Sequence, residues 1–287
     1  MKISTEIASI AQIVGMEKAV ALCGDAGFDA WDFSLLDIHK TDWQTGLPLQ
    51  DLSLRNNRYY LQVARELKQI GLDNGIVCNQ SHAPFPVGQR PVWDSLELAI
   101  ECTAEAGGEI CVIHPHNRAS AEENAEMYRK LLPFAKACGV KIATENMWLW
   151  DLETDHSTFA ACATSEDFKH HMDAVNDEFF VACLDLGHAE MRGSGDGAAN
   201  MIHALGHHLQ ALHIHDNDRW HDSHQIPLSM DIDFDFILRA LKEIGYQGYF
   251  TLEAKSFLND YTRENVFDGV VKLKESARRL ANRFSEL

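Results

Sequence analysis

The sequence predicts an α/β chain whose eight strand–helix units close into a single-domain (β/α)8 TIM barrel spanning residues 1–287. Three observations predict it. Short apolar runs alternate with helical segments along the whole length, which implies parallel strands joined by helical crossovers. Six of those runs end in an acid or a histidine, so polar groups gather at strand carboxyl ends, where such a barrel carries its chemistry. No shift in composition marks a second domain, and 287 residues suit one barrel.

The stretch Val181-Ala-Cys-Leu-Asp185-Leu-Gly-His188 shows the pattern best. An apolar run of strand type carries Asp185 at its far end, and His188 follows a glycine. The runs Ile76–His82, Ile110–His114, Val140–Glu145, Leu212–Asp216 and Tyr249–Glu253 repeat it.

In order, Ile3–Ile7 reads as the first strand and Met16–Gly27 as a helix ended by its glycine. Phe28–Phe33 is the second strand. Leu36–Leu54 is a long polar loop holding Trp43 and Pro48, a length usually reserved for function. Asn56–Ile70 is a helix, Gly75–His82 the third strand, Val92–Ala106 a helix, and Ile110–His114 the fourth strand, stopped by Pro115. Ala121–Cys138 is a helix with Gly139 as its C-terminal glycine. Val140–Glu145 is the fifth strand, and its exit loop holds Trp148 and Trp150. Ser165 caps a helix running to Val175, with Glu166 and Asp167 favouring its N-terminus. Phe179–Asp185 is the sixth strand, and Arg192–Gly197 connects to a short helix, Ala198–Leu205. Leu209–His215 is the seventh strand, and its exit loop is long and polar, Asp216–Asp233. Phe234–Ile244 is a helix, Gly248–Glu253 the eighth strand, and Thr262–Phe284 an amphipathic closing helix.

Composition narrows the function classes. A hydrophobic fraction of 46% with 24% charged residues is ordinary for a globular chain. A net charge of −18 argues against general nucleic-acid or anionic-membrane binding, which needs clustered Lys and Arg. No run is apolar enough to span a bilayer, and no leader-like segment precedes the first strand, so a cytoplasmic location is expected. The seven cysteines are scattered and lack a Cys-x-x-Cys pair; Cys78, Cys102, Cys111 and Cys183 sit in core-like contexts, as reduced buried thiols do.

Glu145, Asp185, His213 and Glu253 end or nearly end the fifth to eighth strands, which are neighbours around a barrel. Three carboxylates and one imidazole there would hold one divalent ion such as Mn²⁺, Mg²⁺, Co²⁺ or Zn²⁺. Without a cation the carboxylates would repel one another. His82 and His114 end the third and fourth strands as further ligands, donors to substrate oxygens, or simple caps. His215 shares a strand face with His213, one as ligand and the other as supporting donor. Asp222 and His224 form an Asp-x-His pair that, with His215, is a candidate second metal site, a substrate clamp, or part of a solvated loop. His170, His171, His207 and His208 read as solvent-exposed. Trp43, Trp148, Trp150 and Trp220 lie in exit loops, where aromatic faces stack on a sugar ring, seal the site, pack the loops, or form a homo-oligomer contact. Gly193–Gly197 reads as a plain connection ending in a helix cap.

The motifs Ser81-His-Ala-Pro, Ile113-His-Pro, Thr144-Glu-Asn, Leu184-Asp-Leu-Gly-His, His213-Ile-His-Asp-Asn and Thr251-Leu-Glu cover essentially the whole chain. In them the chain resembles the xylose isomerase-like TIM-barrel superfamily, in its sugar isomerase and epimerase branch. The resemblance implies a small-molecule sugar substrate, with no nucleic-acid or membrane partner. Glu145, Asp185, His213 and Glu253 would bind one divalent metal ion, and Glu145 and Glu253 would exchange a proton through a metal-stabilised ene-diolate. His188 and Arg219 would contact substrate oxygens, and His82, His114 and Trp148 complete the implied substrate-binding set. Sugar-acid or inosose dehydratases and non-catalytic sugar-binding barrels share the scaffold.

A second branch, the zinc-dependent apurinic-site endonucleases, has a ligand pattern similar to His82, His114, Glu145, Asp185, His188, His213, Asp222, His224 and Glu253. The acidic balance and a lack of Lys and Arg in the rim loops count against it, because phosphate contacts dominate DNA affinity. Leu-Gly precedes His188 where the nucleases carry Thr-Cys, and His116 stands where they have glycine.

Overall fold

A computed structural model describes residues 1–35 and 57–287. The expected loop Leu36–Leu54, with Trp43 and Pro48, lies outside the described residues. Among the described residues there are ten strands: β1 (Ile3–Thr5), β2 (Ala30–Ser34), β3 (Val77–His82), β4 (Ile110–Val112), β5 (Lys141–Glu145), β6 (Trp148–Asp151), β7 (His156–Phe159), β8 (Phe180–Asp185), β9 (Leu209–His213) and β10 (Phe250–Leu252). The helices are α1 (Ala8–Val14), α2 (Met16–Ala26), α3 (Asn57–Asp73), α4 (Arg90–Trp93), α5 (Leu96–Ala106), α6 (Ala121–Cys138), α7 (Ser165–Val175), α8 (Leu186–Glu190), α9 (Ala198–Leu205), α10 (Phe234–Glu243) and α11 (Val266–Glu286).

Strands β2-β3-β4-β5-β8-β9 form one parallel sheet, and β1 pairs with β10 in parallel. Bridges Glu6–Asp32 and Ile214–Leu252 join the two pieces into a closed ring of eight parallel strands. This is the expected TIM barrel.

Side chains alternate across each strand, and the alternation sorts them into two cores. Ile142, Phe180, Ala182, Leu184, Leu209 and Leu212 face outward into the main core with Tyr128, Phe168 and Phe234. Val112, Ala143, Val181, Cys183 and Ala211 point inward as a separate, smaller cluster. One period further along, each inward row ends in a polar group: Val112 leads to His114, Ala143 to Glu145, Cys183 to Asp185, and Ala211 to His213 and His215. The apolar interior is thus a floor beneath a polar rim.

Helix ends follow local chemistry. The Ser120 hydroxyl accepts from the Glu123 amide at 3.3 Å while the Ser120 amide donates to the Glu123 carboxylate at 2.9 Å, a capping box for α6. Gly139 ends that helix at φ 70°, which only glycine adopts without cost. Ser120→Ala is expected to lower stability by about 1 kcal/mol, read from a denaturant titration.

The structure corrects several expectations. Thr164, not Ser165, caps α7, accepting from the Asp167 amide at 3.2 Å. The segment Val92–Ala106 is two helices, α4 and α5, and α1 and α8 are additions. The loop carrying Trp148 and Trp150 is an antiparallel hairpin, β6–β7, whose turn is tied by Asp151 accepting from the Glu153 amide and the Thr154 hydroxyl, each at 2.9 Å. His171 is buried rather than exposed: its Nδ1–H donates to the Asp167 carbonyl at 2.8 Å, and Nε2 lies 3.1 Å from the Asn124 amide nitrogen. His207 is exposed and His208 partly so. The described cysteines are all free, and six of the seven are buried. Among the described residues no helix is long and apolar enough to cross a membrane.

Candidate metal centre

The four rim residues of β5, β8, β9 and β10 come together. Glu145, Asp185, His213 and Glu253 each offer a ligand atom, all within 4.8 Å of one another, and all four are buried. His213 Nδ1 lies 3.1 Å from Glu145 Oε1 and 4.0 Å from Glu253 Oε1. His82 and His114 close the adjacent side, with Nε2 atoms 3.6 Å and 3.3 Å from Glu145 Oε2 and 2.9 Å from each other. Glu145 therefore belongs to three groups that could hold an ion: with His82 and His114, with Cys183 and His213, and with Asp185, His213 and Glu253.

A second group forms beside the first from His188, His215, Asp222 and His224. His215 Nε2 is 3.1 Å from Asp185 Oδ1 and 3.3 Å from Asp222 Oδ1, so it links the two. His224 Nε2 is 3.0 Å and His188 Nε2 3.5 Å from Asp222 Oδ2. The long loop arrives there because buried Asp216 gathers it, accepting from the amides of Asn217, Ser229, Met230 and Ile232 at 2.9–3.1 Å. Asp222 and His224 thus lie half-buried against His188 and His215.

Backbone carbonyls orient most of the imidazoles. Nδ1–H of His82 donates to Ala83, that of His188 to Asn146 and that of His224 to Glu253, at 2.8, 2.9 and 2.6 Å. Tautomers assigned from this network leave the three Nε2 atoms as acceptors turned to the carboxylates, the arrangement metal-ligating histidines use. Asn146 also clamps β5 to β8, donating to the Asp185 carbonyl at 2.9 Å and accepting from the Asp185 amide at 2.7 Å.

The electrostatics suit a cation. Burial alone would raise the Glu145 carboxyl, but His213, His114 and His82 hold it well below the usual range. Burial likewise opposes charge on Glu253, and Lys255, His213 and His224 overcome it and lower its pKa. His188 and His213 are pushed well above the ordinary imidazole value against their burial, His188 mainly by Asp185 and Asp222, His213 by Cys183, Glu145 and Glu253. Burial drives His114 the other way, down to about 4. Glu145 Oε2, Asp185 Oδ2, Asp222 Oδ1 and His215 Nε2 are buried without any hydrogen bond. Such orphaned atoms are costly, and a shared cation would satisfy them. Oxygen and imidazole donors of this kind fit Zn²⁺, Mn²⁺ or Co²⁺.

Gly187 sits where any Cβ would run into the His215 ring, and its carbonyl accepts from Asn217 Nδ2 at 3.0 Å. Gly187→Ala is expected to cost ~1–3 kcal/mol by overpacking and to displace His215, read as a lower melting temperature.

Among the other expected site residues, Trp148 stands beside His188, ring centroids 6.3 Å apart, and Trp150 stacks on His221 at 5.9 Å. Arg219 adopts a left-handed φ of 66°; its Nη2 is 3.2 Å from Glu190, and its Nε is buried without a hydrogen bond. Gly197 caps α9, as a plain connection requires.

Three charged groups went unnoticed in the sequence. Glu6, after β1, is buried beside Ser9. Asp32, in β2, lies with Oδ2 3.4 Å from His213 Nε2. Lys255, two residues past Glu253, places Nζ 2.7 Å from Glu253 Oε1. Period two applied to β1 would have found Glu6, and the pairing of a lysine with the strand-end acid would have found Lys255; the register shift before Asp32 hides it from the same rule. Arg118, Arg192, Arg219 and Lys255 all follow strand carboxyl ends, which corrects the expectation that the rim loops lack Lys and Arg.

A closed ring of eight parallel strands with a carboxylate–imidazole cluster on its rim defines a TIM barrel whose site could hold a metal. Residues 20–281 match the xylose isomerase-like TIM barrel family, and the chain belongs to it. It is 26% identical over 247 residues to an uncharacterized protein of Methanocaldococcus jannaschii, covering 80% of this chain and 75% of that one. Among solved structures it is similar to a D-tagatose 3-epimerase-like protein, at 21% identity and TM-score 0.68 over 100% of this chain and 99% of that one. It is also similar to a 3-keto-D-glucoside 4-epimerase from E. coli, at 18% identity and TM-score 0.68 over 96% and 99%. The IOLI protein with a bound zinc atom matches at 17% identity and TM-score 0.71, over 99% of both chains. At these identities the structural likeness establishes the fold.

Proposed function

We propose that this protein is a divalent-metal-dependent isomerase or epimerase of a ketose, keto-sugar or related polyol. The observation that carries the proposal is the convergence of Glu145, Asp185, His213 and Glu253 within 4.8 Å of one another. Epimerases of sugars among the similar folds, and a zinc atom in one of them, support it.

Glu145, Asp185, His213 and Glu253 would hold the ion. When bound, it supplies Lewis acidity, which makes a C–H proton beside a carbonyl more acidic and lowers the cost of negative charge on the adjacent oxygens. Glu145 and Glu253, three barrel positions apart with β8 and β9 between them, carry the proton. One carboxylate takes it from the carbinol carbon, and that bond's electron pair passes toward the carbonyl oxygen. The other relays a proton from solvent to the opposite face of that carbon, or the first returns it to the neighbouring carbon. His188 and Arg219 donate to sugar hydroxyls, and Trp148 offers an apolar face to the ring. Lys255 holds Glu253 ionised and ready to accept.

Incubation of metal-loaded protein with a panel of ketoses in D₂O is expected to place deuterium on the reacting carbon. Absence of exchange across the panel would overturn the assignment.

A second reading is favoured by the overlapping ligand groups, which gather all nine residues of the nuclease-like set. It is multi-metal hydrolysis of a phosphate ester. Zinc-loaded protein that nicks abasic duplex DNA at low salt, and shows no sugar exchange, would establish this reading over the first.

A further inference from the structure

We propose that Asp32 is a positioning residue for His213, a role that rests on the metal-centre reading above: it holds the imidazole so that Nδ1 faces the cation. The other histidines facing Glu145 or Asp222 through Nε2 include His82, His188 and His224, and each gives its Nδ1–H to a backbone carbonyl. His213 is arranged in the opposite sense. Its Nδ1 faces Glu145 and Glu253, and its Nε2 faces Asp32 Oδ2 at 3.4 Å, an ion-pair separation rather than a hydrogen bond. Nε2 is buried and makes no hydrogen bond among the described residues.

Two features aim Asp32 at this atom. The β2–β3 register shifts between Trp31 and Asp32, a bulge of the kind that re-aims a side chain beside a site. The carboxylate is also held from below: Gln80 Nε2 donates to the same Oδ2 at 2.9 Å. Gln80 Oε1 in turn accepts from Asn79 Nδ2 at 3.1 Å and Thr251 Oγ1 at 3.3 Å, and Asn79 Oδ1 accepts from Ser4 Oγ at 2.6 Å. This buried chain fixes Oδ2 and leaves Oδ1 without a partner. A fully buried carboxylate with one empty oxygen is costly, and the carboxylate–histidine–metal arrangement gives it a purpose.

The test compares wild type, Asp32→Asn and Asp32→Ala by competitive Zn²⁺ titration against a chelator, with ¹⁵N spectra of His213 and melting of the metal-free proteins. Zn²⁺ affinity is expected to fall roughly 10–100-fold in Asp32→Ala, as for other outer partners of ligating histidines. Asp32→Asn, which keeps an accepting oxygen, is expected to recover part of that loss. The His213 signal should report an Nε2–H tautomer in wild type and a mixture in Asp32→Ala. Unchanged Zn²⁺ affinity and tautomer in a folded Asp32→Ala, with wild type binding Zn²⁺, would overturn the role of Asp32 alone. Wild type that takes up no Zn²⁺ would overturn the metal-centre reading, and this role with it. Should Asp32→Ala fail to fold, Asp32→Asn carries the test: weaker Zn²⁺ binding supports the role, and unchanged binding overturns it.

Discussion

Glu253→Gln is expected to lower kcat roughly 10²–10⁴-fold, the span a positioned acid–base group contributes, with the fold retained. Glutamine keeps the shape of the side chain and every backbone bond at this position, including the Glu253 amide to the Ile214 carbonyl at 2.9 Å and the carbonyl that accepts from His224. What it loses is the ability to accept a proton at Oε1 or Oε2. It also loses the charge facing Lys255 at 2.7 Å. The lysine side chain is 31% exposed, so water can take over part of its solvation, and the loss of stability stays small beside the loss of turnover. Steady-state kinetics paired with a thermal melt separates the two. A folded variant with wild-type kcat would refute Glu253 as a proton carrier.

Glu145→Gln is expected to remove metal and turnover together. Its carboxylate is shared between the group of His82 and His114 and the group of Asp185, His213 and Glu253, so one substitution weakens both. The fall in metal affinity should exceed the roughly 10–100-fold typical of an outer partner, because a ligand itself is lost. A pH signature accompanies it. Burial would raise the Glu145 carboxyl, but the surrounding histidines depress it below its ordinary 4.5. A depressed carboxyl stabilises the fold above its unfolded pKa, and that contribution is lost as pH falls through the folded value. Metal-free wild type should therefore lose more stability on acidification below about pH 4.5 than Glu145→Gln does, read from denaturant midpoints across that range.

The rim was legible because two periodicities coincide in it. An inward row of small apolar residues in β5, β8 and β9 ends in Glu145, Asp185 and His213, and α6 and α9, which lead into β5 and β9, end at Gly139 and Gly206. Where those signals fade, reading from sequence fails for identifiable reasons. Asp32 lies inside Ala-Trp-Asp-Phe-Ser, a run whose aromatic neighbours pack outward, and the bulge that turns it inward leaves no mark in the residue pattern. Lys255 follows its strand within a single 3-10 turn, Lys255–Leu258, too short for helical periodicity. The β6–β7 hairpin depends on the Asp151 turn rather than on a long alternating run. His171 reads as polar surface, yet α7 turns it toward Asn124, and only the packing of α6 against α7 decides that. The Asp222–His224 pair reaches His188 and His215 through Asp216, three of whose four amide contacts lie 13–16 residues along the loop and are invisible as a motif.

Metal content after loading with Zn²⁺, Mn²⁺ or Co²⁺ and desalting, measured by elemental mass spectrometry, bears most directly on the chemistry. Buried carboxylates sharing one space with His213 should retain at least one ion per chain, and Glu145→Gln should retain far less. A wild-type protein that comes off the column empty with all three metals would mean that protons on the imidazoles alone balance the cluster, contradicting a metal centre on this rim.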